Sequence, residues 1–239
     1  MTIQRNADGW SSRIASDPLA LFNFNDPINY PYFLDHFLAY DDTQAVGHPY
    51  TFTQTNGTDA ILGPSGVLTL TCAGAANDLC QLQLTNAPWQ SNSKRLWFEA
   101  KVKLVLDSGG TVAANELAVG LFSVQTGSNF FAADGLSLAA DDALGFVSFD
   151  ATATMNAVMR ENDVQSSEAG IVTPVDDTWM RLSIYYDGGT AYFYKDGGLV
   201  ATLTTVDATS VLTPTLYIKL GEAKGNALHC DYIFTGAEL

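Results

Sequence analysis

Side chains able to do chemistry are few in this sequence and far apart. His36, His48 and His229 would have to meet in space to hold a metal through imidazole nitrogens; the alternative is three separate polar or half-buried residues. Cys72, Cys80 and Cys230 show no metal-ligand spacing, and their odd number points to reduced core thiols. The H-E-x-x-H, G-x4-G-K-[ST] and G-x-G-x-x-G patterns are absent. Gly63-Pro64-Ser65-Gly66 only grazes G-x-S-x-G, and a Gly-Pro turn is the better reading. Carboxylate and amide oxygens on loops suit a hard cation such as calcium. Candidates are Asp141-Asp142, Asp107, Asn115 with Glu116, and Asp176-Asp177, but none forms a D-x-[DN]-x-[DN]-G loop. Solvated loop carboxylates are the alternative, and no obligate cofactor is expected. Trp89, Phe130 and Phe131 fall between strand-like runs. They are candidate ring platforms for a ligand, or else caps on the core.

The elements that must position these groups read as strands. From about residue 36, short apolar runs are broken by turn residues at intervals of roughly ten, as in a sandwich or barrel. Residues 67–72 and 79–85 alternate, with Leu82 and Leu84 facing one way and Gln81 and Gln83 the other. In 95–107, Phe98, Ala100, Val102 and Leu104 share a face, while Lys101 and Lys103 lie on the other. Trp97 and Trp179 read as strand residues of the core. Further runs are 116–124, 143–150, 212–223 and 227–239. Between 178 and 206, Asp187-Gly188-Gly189 and Asp196-Gly197-Gly198 punctuate three strands as hairpin turns. Lysines and arginines on alternate faces favour antiparallel sheets over parallel ones.

Residues 1–35 differ. Leu21, Phe22, Phe24, Tyr30, Tyr32 and Phe33 crowd among Pro18, Pro27 and Pro31, a density that forbids a long helix. The expectation is an extended, aromatic N-terminal arm over 1–35 and a β-sandwich domain over 36–239. The arm would lie on its own domain or on a neighbouring subunit, with those six residues as interface anchors. Truncating residues 1–34 is expected to abolish assembly while leaving the sandwich folded.

The chain carries 11 Lys and Arg against 26 Asp and Glu, a formal charge of −15, which argues against nucleic acid or an anionic membrane as partner. Hydrophobic residues are 47% and charged residues 15%, a composition that folds. The start MTIQRNADGW has no apolar stretch of the kind a secretion leader carries, so folding in a cytoplasm is expected.

The run from Trp179, W-x-R-L-x-I-x-Y-D-G-G, with the pair at 94–104 and 116–124, resembles the concanavalin A-like jelly roll of laminin-G domains, lectins and glucanases. The resemblance covers about residues 36–239 and implies an all-β, antiparallel β-sandwich. It does not choose among functions. Glucanases of this kind carry E-x-D-x-x-E or E-x-D-x-E on one strand, whose outer carboxylates act as nucleophile and acid/base. Here Glu99 is followed by Lys101 and Lys103, and Glu116 by Ala118, so no such enzyme is expected. Asp35–Leu38, Gly66–Thr71 and Asp78–Gln83 are similar in style to virion proteins of tailed bacteriophages. That resemblance implies a structural, capsid decoration or cement protein on the capsid exterior. It would bind the major capsid protein through its arm and assemble with itself, as a trimer at first guess. The alternative is a lectin-like, perhaps calcium-dependent, carbohydrate-binding module that recognises glycans.

Overall fold

The structure is a computed structural model that describes residues 4–6, 9–11, 19, 22–24, 26–38, 49–62, 66–85, 89–90, 94–124, 130–131, 138, 142–162, 164–204 and 210–239. Two antiparallel sheets pack face to face. One runs β12 (Val164–Val172), β11 (Met155–Glu161), β10 (Ala143–Ser148), β9 (Asn115–Phe122), β16 (Thr213–Leu220), β7 (Leu79–Leu84) and β4 (Tyr50–Thr55). The other runs β15 (Gly198–Thr204), β14 (Thr190–Lys195), β13 (Met180–Tyr186), β8 (Leu96–Val105), β17 (Ala227–Ala237), β6 (Val67–Cys72) and β5 (Gly57–Leu62). An eighth strand of that sheet, β3 (Tyr32–Asp35), pairs with the far half of β17. A small separate hairpin joins β1 (Gln4–Asn6) to β2 (Gly9–Ser11). The sandwich expected from alternation and turns is the fold observed.

The turn chemistry works as the residue types suggest. Asp196 and Gly197 both hold positive φ, 52° and 87°, and close the β14–β15 hairpin. Asn56, with φ 47°, makes a corner instead of a hairpin, because β4 and β5 belong to different sheets. The core lies between the sheets. Phe98, Val102, Leu104, Leu182, Ile184 and Phe193 meet Leu82, Val119, Leu121, Phe146, Leu216 and Ile218. The rings of Phe146 and Phe193 meet edge to face at 5.3 Å across the gap.

Both outer faces are covered as well. Phe130, Phe131 and Leu138 cluster with Leu79, Phe122, Val147 and Tyr217 on the outside of the seven-stranded sheet. Leu19 and Phe22 cluster with Trp97 and Phe234 on the outside of the eight-stranded sheet. The described residues of the arm from Leu19 onward therefore lie on the chain's own sandwich, and the last of them are a strand of the sheet. Removing residues 1–34 would uncover Trp97 and Phe234 and leave one edge of 233–236 unpaired, with β8 still holding the other. Such a truncation is an aggregation liability, not the clean separation of arm from sandwich that the sequence suggests.

Candidate interaction site

The arm is seated by shape. Gly236 of β17 faces outward beside Trp97 of β8. A Cβ at 236 would stand 2.5 Å from Cε2 of Phe22, so the glycine is the floor on which that ring rests. Phe22 meets Trp97 at 5.1 Å and Phe234 at 5.2 Å, both edge to face. Asp26 shapes the approach: its carboxylate accepts from the backbone N–H and the side-chain amide of Asn29, which lowers its pKa. After β3 the chain dives into the core, with the buried Phe37 donating its N–H to Asp35 Oδ1 at 2.6 Å and Tyr50 donating its hydroxyl to Oδ2 at 2.9 Å.

The predicted anchors divide into two groups. Phe22 is 5% exposed and serves the fold. Tyr30 is half-buried against Trp97, and Phe33 is half-buried against Tyr50. Phe24 and Tyr32 are 40% and 43% exposed, and Leu34 beside them is 46% exposed. Phe24 packs on Phe22 at 4.9 Å and on Tyr32 at 5.5 Å, and Tyr32 stacks on Phe234. The result is a half-solvated aromatic patch on a buried aromatic footing. Leu21 lies outside the described residues.

A polar row continues from the patch across the same face. Glu99 is fully buried; Ser183 Oγ donates to it at 2.7 Å and the Tyr232 hydroxyl at 2.5 Å, with Arg181 Nε 3.8 Å away. Lys101 pairs with Asp231 at 2.6 Å, and Lys103 pairs with Asp177. Trp179 precedes β13 and is half-buried, its ring 5.1 Å from both lysine ammonium groups; it is a surface residue, not the strand core residue its neighbours suggest.

His229 sits opposite Lys103 in this row. Burial lowers its pKa and Lys103 lowers it further, against the pull of Asp177. The folded state therefore favours neutral imidazole. Its contribution is present above the unfolded value of about 6.5 and is lost as pH falls through the lower folded value. His229→Gln is expected to flatten the loss of melting temperature from neutral pH to about pH 5. Identical slopes for the two proteins would remove His229 from the acid response.

The middle of the other outer face is covered. Gly120 and Gly145 stand opposite each other on β9 and β10, and the Phe122 ring lies over Gly145. Phe130 packs on Phe122 at 5.1 Å and on Tyr217 at 5.4 Å, and Phe131 packs on Tyr217 and Phe149. Phe130 and Phe131 are buried and offer no open ring to a ligand. Trp89 is buried too, bridged to Leu212 by reciprocal backbone hydrogen bonds. These three rings found partners within the chain, so the expected open platform is absent at those positions. Gln83 Nε2 donates to Thr215 Oγ1 and to the Ser123 carbonyl just past the end of β9. Beside them Glu116 pairs with Lys219 at 3.0 Å; burial raises the carboxyl pKa and the ammonium opposes it.

The described loop oxygens considered for calcium make local hydrogen bonds. Asp142 accepts from Ser210 Oγ and from the Asn162 N–H, while Asp141 is outside the described residues. The buried Asn115 links the Thr111 carbonyl to Asn226, and Asp176 accepts the Leu106 N–H. Among the described residues no three His, Cys, Asp or Glu side chains converge as metal ligands. His36 lies against Tyr232, and His48 is outside the described residues. The Glu99 network was missed by sequence reasoning. Its signal was present: strand alternation puts Glu99 and Trp97 on one outward face, and an outward tryptophan needs a cover.

No protein-family model matches the chain, and no curated protein matches it. Solved structures do. The potassium-bound carbohydrate recognition domain of Emp46p aligns with TM-score 0.61 at 14% identity, over 84% of this chain and 94% of that one. An endo-1,3-beta-glucanase from Streptomyces sioyaensis aligns with TM-score 0.57 at 13% identity, over 89% and 98%. The beta-glucanase of Bacillus licheniformis aligns with TM-score 0.57 at 11% identity, over 85% and 97%. The fold is thus the concanavalin A-like sandwich shared by lectins and glucanases, and at these identities the likeness extends to the fold alone.

Proposed function

We propose that this chain is a non-enzymatic structural protein of a virion, a capsid decoration or cement protein that docks on the coat lattice through its N-terminal aromatic patch. The observation that carries the reading is the patch itself: Phe24, Tyr32 and Leu34 held half-exposed on a rigid aromatic base. Burying such groups is worth roughly 25 cal/mol per Å² before the entropy of association, and the base has already met the ordering cost of the segment. Two further observations support a role in association over catalysis. No described strand sets two carboxylates on one face, and aromatic side chains of the chain cover the middle of the outside of the seven-stranded sheet. A formal charge of −15 fits a partner with a basic face.

The test is gradient sedimentation of a native lysate from the source, probed for this chain, beside a Phe24→Ser/Tyr32→Ser/Leu34→Ser variant. The wild type is expected among particles far heavier than any small oligomer. The variant is expected to shift at least tenfold toward the light fractions while keeping the β-sheet circular dichroism of the wild type at the assay temperature. A wild type found only in light fractions would sink the reading. Cross-linking of the purified protein then asks whether it forms the trimer expected first.

A second reading, a lectin-like glycan-binding module, draws on the fold shared with the Emp46p and Emp47p carbohydrate recognition domains. It requires the melting temperature to rise with a glycan, with or without calcium, through mass action on the native state.

A further inference from the structure

We propose that Cys72 and Cys80 form an oxidation site, a latent disulfide that staples the two sheets together. Cys72 ends β6 of the eight-stranded sheet and Cys80 is the second residue of β7 of the seven-stranded sheet. Both are buried, and their sulfurs lie 3.8 Å apart, in van der Waals contact. The site is shaped around them. A Cβ on Gly57, which pairs with Cys72, would fall 2.2 Å from Cys80 Sγ, so β5 is recessed where the second sulfur sits. Cys230 is placed differently: its thiol faces the Tyr232 carbonyl at 3.2 Å on β17.

Rotation of the two side chains must bring the sulfurs from contact to the bonded distance of about 2.05 Å. The reaction breaks two S–H bonds and forms one S–S bond. Two electrons and two protons pass to a disulfide oxidant such as oxidised glutathione, which leaves as two thiols. The hydrogen bond between the thiols and their burial hold Cys72 far above the ordinary thiol range, so little thiolate exists in the closed fold. The bond therefore closes while β6 and β7 dock during folding, or when the short 73–78 connection opens. Once made, it is shielded by the same burial. The link would join strands of opposite sheets, which share no backbone hydrogen-bonded ladder, at the end of the sandwich.

The protein is refolded in a glutathione redox buffer and, in parallel, in excess dithiothreitol. Each sample is alkylated, digested without reduction and mapped by mass spectrometry. The oxidised sample is expected to yield a Cys72–Cys80 cross-linked peptide lighter by two hydrogens, with Cys230 alkylated. Its melting temperature is expected to rise by several degrees over the reduced sample. That gain should persist in Cys230→Ala and vanish in Cys80→Ala. Full alkylation of both thiols after oxidative refolding would overturn the proposal. So would linkage to Cys230 instead, or a linked protein that has lost its β-sheet circular dichroism.

Discussion

Phe22→Ala is expected to destabilise the protein by about 3–5 kcal/mol, the range for deleting a buried aromatic side chain. The ring is 5% exposed and is the hub of its cluster, meeting Phe24, Tyr30, Tyr32, Trp97 and Phe234. Without it Trp97 and Phe234, outward-facing residues buried by the arm, meet water. Equilibrium urea denaturation measures the loss, and tryptophan emission should shift to the red as Trp97 is solvated. Phe24→Ala is the internal comparison: that ring is already 40% exposed, and its loss should cost clearly less. If the two substitutions cost the same and the emission is unmoved, the arm does not sit on this sheet in solution.

The second large effect is expected at Gly120. A Cβ there would stand 2.5 Å from the Gly145 Cα and 2.6 Å from the Leu144 carbonyl oxygen. Both are backbone atoms of the neighbouring strand, so no rotamer change relieves the overlap. Gly120→Ala must push β9 and β10 apart in the middle of the seven-stranded sheet and disturb Phe122, which rests on Gly145. The cost is expected at or above the top of the roughly 1–3 kcal/mol range for overpacking. Gly189→Ala is the control, since a methyl there meets nothing within 4 Å. Thermal melts followed by circular dichroism separate the cases. Equal melting temperatures for the two variants would mean that the glycine pair is not in tight contact.

Much of the sandwich was legible because its strands announce themselves in two ways. Residues 178–204 alternate between Asp-Gly turns, and β13, β14 and β15 lie where that pattern puts them. The long β8 was equally plain from Phe98 to Leu104. The edge strand β12 was not: Val164–Val172 is mostly exposed and holds few apolar residues, so no apolar alternation marks it. β9 and β10 are buried at every position, and their nearly unbroken apolar runs are the mark of a sheet covered on both faces. What covers them could not be read. Phe130 and Phe131 are two rings in a stretch without period, and only tertiary structure says that they turn inward onto Phe122 and Tyr217. The aromatic content of the arm was legible, whereas its division into a buried footing and an exposed patch depends on Gly236, Trp97 and Phe234, which lie far along the chain.

β17 is a strand with two neighbours on one side. It pairs with β6 through Ala227–Cys230, bulges at Asp231, and takes β3 along Ile233–Gly236. On its other side β8 holds it through ten paired residues, whereas β3 is held through four. The N-terminal segment is therefore joined to the sheet by a short seam of four pairs, and the body of the sandwich is held by the long seam between β8 and β17.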